Sequence, residues 1–165
     1  MLRCLAITAL GLLPLPLAAG GKKAPAMQVS FHLQTEPGET NLKVFRVPTA
    51  GQEITYRLSP AFSQSDFVAF QPFPSTDEAT YGVIFQLNKV AAKRLTNLGH
   101  AHRGRYLLAM VNGQVRDAVL IDKPVSDGLL VIWQRIGAAE IKLADEHLPR
   151  IGQDPAKWKK ERRKK

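Results

Sequence analysis

The sequence predicts an α+β fold, a mostly antiparallel sheet with two main helices on one face. Three observations predict it. Asn112-Gly113 sits between the apolar-rich runs Tyr106–Val111 and Gln114–Ile121. A two-residue hairpin turn needs φ > 0 at both positions, and Asn-Gly tolerates that best. Tyr81–Leu87 and Leu129–Trp133 are apolar runs of strand length. Two further segments repeat apolar residues at helical spacing: Ala91, Leu95 and Leu98, then Ile141, Ala144 and Leu148.

In order along the chain, Met1-Leu-Arg3 is a short basic start. An apolar run from Cys4 to Leu17 follows, broken by Pro14 and Pro16, and leads into Ala18-Ala-Gly-Gly21. This is the pattern of a secretory signal peptide, assigned to residues 1–20. The run is too short and too proline-interrupted to span a bilayer comfortably, which needs about 20 residues, and an uncleaved anchor is the alternative. The mature chain is therefore expected to be exported, periplasmic or secreted, with no transmembrane helix. The single cysteine, Cys4, lies in the removed part, so the mature chain has no disulfide and no thiol nucleophile. Residues 21–26 read as a linker and 27–152 as one α+β domain.

The formal net charge of +9 is unevenly spread. Residues 24–156 carry thirteen basic and thirteen acidic side chains, whereas the last nine residues are net +6. A neutral body argues against a nucleic-acid-binding fold, which carries its own basic footprint. Residues 153–165 read as a disordered basic tail. Its Lys157, Trp158, Lys159, Lys160, Arg162, Arg163, Lys164 and Lys165 are candidates for contact with an anionic surface, Trp158 lying at the interface.

Within the domain, Met27, Val29, Phe31 and Leu33 alternate with Gln28, Ser30, His32 and Gln34. That is a half-buried strand with a solvated face, on which His32 is an ordinary exposed histidine. Lys43–Val47 and Glu53–Leu58 are strands of a second hairpin around Pro48–Gly51. Ser63–Asp66 offers caps for a single helical turn. Phe67, Phe70 and Phe73 follow at intervals of three. Core packing accounts for them best, and Phe70 and Phe73 are the candidates for an aromatic binding platform. Asn88 caps the first helix, and Gly99 suits its end. In the Asn112-Gly113 hairpin a simple two-residue turn sets Met110 against Val115 and Leu108 against Asp117. The last helix spans Ala138 to His147, with Pro149 stopping it.

Chemistry is sparse. The sequence holds no G-x-S-x-G, H-E-x-x-H, phosphate-binding or dinucleotide-binding motif. The loop His100–Arg105 offers an H-x-H pair, but no carboxylate or cysteine stands near it in sequence. No metal, cofactor or catalytic residue is therefore assigned. Arg103 and Arg105 remain candidates for an anionic ligand. The expectation is a non-enzyme.

The segments Phe85–Asn88, Ala92–Leu95, Gly104–Ile121 and Val125–Ile132, followed by the last helix, resemble the head part of the first periplasmic domain of SecD. SecD is the accessory subunit of the bacterial protein-export channel. Val29–Leu33 is similar to that domain's opening strand, and 51–65 to its next strand and loop. Asp117-Ala-Val119 stands where the family has Ser-Ala-Pro, and Trp133 where a glycine is common. The resemblance implies an exported, non-enzymatic domain that binds polypeptide or a cell-envelope partner. Two other readings stay open. One is a small exported enzyme or ligand-binding protein with its site at 100–105. The other is an envelope adaptor held to an anionic surface by the tail.

Overall fold

A computed structural model describes residues 27–39 and 43–162. The expected signal peptide and linker, and the tail residues Arg163, Lys164 and Lys165, lie outside the described residues. Among the described residues nine strands run in order: β1 Val29–Leu33, β2 Val44–Thr49, β3 Gln52–Arg57, β4 Phe62–Ser63, β5 Phe67–Pro74, β6 Tyr81–Leu87, β7 Tyr106–Val111, β8 Gln114–Leu120 and β9 Leu129–Ile136. Helix α1 is Lys89–Ala101, α2 is Ala138–His147 and α3 is Pro155–Arg162. The α+β fold is as the sequence predicts, and every pairing between strands is antiparallel. The strands form three sheets where one was expected. Their orders are β4-β1-β7-β8, β2-β3 and β5-β6-β9.

The main core explains the arrangement. Val29, Phe31 and Leu33 of β1, and Met27 just before it, point inward, as their alternation requires, into one cluster with Val83, Phe85, Ile132 and Ile136. Ala91 and Leu95 of α1 and Ala144 of α2 close the same core, so both main helices serve one hydrophobic cluster. The Asn88 carboxamide caps α1 by accepting from the N–H groups of Val90 (3.0 Å) and Ala91 (2.9 Å). Gly99 does not end α1, which runs on to Ala101 with His102 as its cap. A Cβ on Gly99 would lie 2.7 Å from the Cα of Pro124, so glycine is needed there for close approach.

The opposite face of β1 and β7 is also covered, which corrects the expectation for His32. The β2-β3 hairpin folds over it and buries Ile54, Tyr56 and Leu108 in a second small core. His32 lies beneath this hairpin, only 6% exposed. The hairpin turn is Ala50-Gly51, with φ of 50° and 78°. Asn112 and Gly113 likewise have φ of 51° and 75°, the left-handed pair that a two-residue turn demands. Asn112 also anchors the start of β1: its N–H donates to the Gln28 carbonyl (2.9 Å) and its Oδ1 accepts the Gln28 N–H (3.0 Å).

Two bulges alter the expected register. Phe67 and Phe70 would face opposite ways on a regular strand, because side chains alternate. The bulge between Phe67 and Ala69 restores the parity, and both are buried. In the central hairpin Met110 pairs with Val115 as expected, but Ala109 then pairs with Asp117 and Leu108 with Ala118. Arg116 is thus the extra residue. Its guanidinium reaches Glu140 (2.6 Å), whose other oxygen accepts the Gly137 N–H (2.9 Å) at the start of α2. The bulge therefore ties the hairpin to that helix.

The C-terminal segment was expected to be disordered. Instead residues 155–162 form α3, with the Asp154 side chain accepting the Ala156 N–H (2.8 Å). A proline at the first helical position and a capping aspartate before it favour a helix start despite the run of like charge.

Candidate functional site

The structure separates the residues singled out from sequence. Phe70 is fully buried, with the Arg150 guanidinium over its ring at 4.5 Å, and cannot form a surface platform. Phe73 lies on the outer side of its sheet. It covers Gly82, where a Cβ would fall 2.2 Å from the ring, and meets Trp133 edge-on at 6.0 Å. Most of the supposed 100–105 loop is helix end or turn. His100 is exposed on α1, while His102 caps it and pairs with Glu36 (3.0 Å). The Arg105 guanidinium donates to the Thr35 carbonyl (3.1 Å), and Arg103 is exposed. Among the described residues, no three His, Cys, Asp or Glu gather to hold a metal ion.

The cleft beside α1 gathers Arg57, Arg94 and His102. Each is met by a carboxylate: Arg57 by Glu39, Arg94 by Asp66 (2.8 Å) and His102 by Glu36 (3.0 Å). The Arg57 hydrogen bond is the main influence holding the Glu39 carboxyl below its ordinary range. The two arginines of this cleft are thus already engaged by carboxylates within the fold.

The distinctive surface lies between β8 and β9. Among the described residues strand β8 pairs only with β7, and β9 only with β6. The two run side by side, yet among the described residues no ladder joins them. Asp117 holds them together. Its Oδ1 accepts the Ala118 N–H (2.8 Å) and its Oδ2 accepts the Trp133 N–H (2.9 Å). A carboxylate thus stands where a backbone carbonyl would have continued the sheet.

Beyond Asp117 both edges are open among the described residues. The Trp133 N–H faces β8, and alternate residues of an antiparallel strand share a side, so the Val131 N–H and C=O face β8 too. On β8, Ile121 turns its backbone the other way, donating to the Arg105 carbonyl (2.8 Å) and accepting from Gly104 N–H (2.8 Å). Its neighbour Leu120 therefore turns its own N–H and C=O toward β9.

Between these edges lies an apolar cavity of about 140 Å³. Leu95 and Leu98 of α1 line it, with Val119–Ile121 on one side and Leu129–Val131 on the other. Leu120 and Trp133, 47% and 57% exposed, flank its mouth. A dry apolar cavity of roughly 150 Å³ accepts one aromatic ring. This groove escaped the sequence reading, because strand edges are a property of topology. Leu120 and Trp133 were the available signal, as large apolar residues on strands that alternate poorly.

Together these features define an α+β module of antiparallel sheets whose two open strand edges border an apolar groove. The same fold occurs in SecDF. One solved structure, of a membrane component SecDF that enhances protein export, superposes with a TM-score of 0.50 at 13% identity, covering 72% of this chain and 60% of that one. A structure of SecDF in a super-membrane-facing form gives 0.52 at 15% identity, covering 72% of this chain and 18% of the other. The chain thus spans 60% of the length of the first and under a fifth of the second. At this identity the likeness establishes a SecD-like fold. No family model and no curated protein matches the sequence. Among the described residues no helix is long and apolar enough to cross a membrane.

Proposed function

We propose that this chain is an exported, non-enzymatic module that binds a polypeptide partner in extended form along the groove between β8 and β9. The observation that carries the reading is the coincidence of an apolar cavity with two unpaired strand edges. An extended segment offers both halves of what the groove lacks. Its backbone supplies donors and acceptors for an open edge, and every second side chain points one way, into the cavity. The first SecDF structure, described as that of a membrane component that enhances protein export, supports a polypeptide or cell-envelope partner over a small metabolite.

The groove is poorly equipped for catalysis. Its lining contains no Ser, Thr, Cys or His, and its ionisable side chains are Asp122 and Lys123, neighbours on one loop. The adjoining Asp117 has a structural task, accepting a backbone N–H on each oxygen. The alternative site at 100–105 is weaker still, since Arg105 and His102 are engaged within the fold.

Binding of a synthetic peptide with alternating valine and serine, followed by Trp133 fluorescence, tests the reading. Leu120→Asp puts a charge at the mouth, at a position exposed enough to leave the fold intact. It is expected to weaken binding about tenfold or more, because the variant must desolvate that charge. Equal binding by the variant, or no saturable binding by the wild-type chain, would remove the groove as the site.

A further inference from the structure

We infer that α3 is a docking element for an anionic phospholipid surface, a second contact independent of the groove. The first observation is where unbalanced charge sits. In the body thirteen basic side chains are balanced by thirteen acidic ones, and Arg46, Arg57, Arg94, Arg116 and Arg150 are each paired directly with a carboxylate. Among the described residues Lys157, Lys159 and Lys160 are in no ion pair, and all three are exposed. Since residues 24–156 are neutral, the excess positive charge of this end of the molecule stands on one short helix and the residues after it.

The second observation is that α3 touches the fold at its C-terminal end. The Arg162 Nη1 donates to the Asp145 carbonyl (3.3 Å) of α2, and its guanidinium lies 5.6 Å from the centre of the Trp158 ring. The Trp158 N–H donates to the Asp154 carbonyl (3.0 Å). A positioned cluster of lysines presents its charge at one place on the surface, and a half-buried indole beside it suits the headgroup layer, where tryptophan collects.

The partner follows from these features. No apolar face runs along α3, so it does not insert into hydrocarbon and does not seek a hydrophobic groove. It spans roughly 12 Å, which gives a point contact suited to a dense charged plane. A nucleic acid needs a basic footprint that tracks a phosphate backbone across the fold, whereas the cations of the body are matched in number by its carboxylates.

Vesicles of phosphatidylcholine with and without phosphatidylserine, titrated with the full chain, provide the test. Binding is expected only to the anionic vesicles and is expected to fall steeply with salt, because exposed charges are screened over about 8–10 Å. Each juxtamembrane lysine changes the partition about fivefold, so Lys157→Gln, Lys159→Gln and Lys160→Gln together should lower it about a hundredfold. The melting temperature should not change, because these side chains hold nothing in the fold. Anionic-vesicle binding that survives the triple substitution would overturn the inference. So would tight binding to a DNA duplex with none to vesicles, which would assign α3 to nucleic acid.

Discussion

His32 shows how a single side chain can be misjudged from its strand. Its position in the alternation is polar, yet the β2-β3 hairpin covers it. The Ser30 hydroxyl lies 2.9 Å from its Nε2, and its Nδ1 donates to the Arg57 carbonyl at 3.0 Å. Phe45 packs edge-on against the ring at 5.3 Å. Burial is the main influence on its titration and holds its pKa below the ordinary histidine value, partly offset by the Arg57 and Leu58 carbonyls. The sign follows from linkage. Above about pH 6.5 the ring is neutral in both states and contributes no pH dependence. Below it the unfolded chain takes up a proton that the folded chain resists, so stability falls with pH. Melting curves recorded as the pH drops from neutral should therefore show a loss that is smaller in His32→Gln. An identical slope in both proteins would show that His32 does not govern the acid side.

Among the elements, α1 carries the clearest test of packing. Gly99 is a poor helix former in a helix interior, and alanine there would ordinarily gain about 1 kcal/mol. Here the added methyl would meet the Pro124 backbone at 2.7 Å, and backbone cannot swing aside as a side chain can. Gly99→Ala is expected to destabilise the fold by about 1–3 kcal/mol, the usual range for overpacking. Denaturant unfolding reads this directly, and a stabilised variant would mean that the loop through Pro124 moves freely from α1. The same contact matters to the groove, since Gly99, Lys123 and Val125 all border it. Strain there should be felt at the mouth as well as in the melt.

At the scale of the whole molecule, Asp117 is the join between the two larger sheets. Its two hydrogen bonds replace a backbone ladder and leave the groove beside them open. Removing the carboxylate in Asp117→Ala leaves two N–H groups without their acceptor. The expected cost is about 1–2 kcal/mol, given their partial exposure. Amide exchange should quicken at Ala118 and Trp133 while the interior of β7 stays protected. Uniform loss of protection would instead make Asp117 a support of the global fold.

Much of this architecture is legible in the chain because it rests on local physics. The Asn112-Gly113 turn follows from the φ > 0 requirement, the Asn88 cap from its side-chain acceptor, and α2 from the spacing of Ile141, Ala144 and Leu148. The inward face of β1 follows from alternation alone. What the chain does not reveal is which strand lies beside which. The burial of His32, the division into three sheets, the bulge that sends Arg116 to Glu140 and the groove between β8 and β9 all arise from contacts between segments far apart in sequence. Periodicity reports that a face is apolar or polar and is silent about what will cover it. The second hairpin over β1, and the missing ladder beside Asp117, are therefore decided only when the sheets pack.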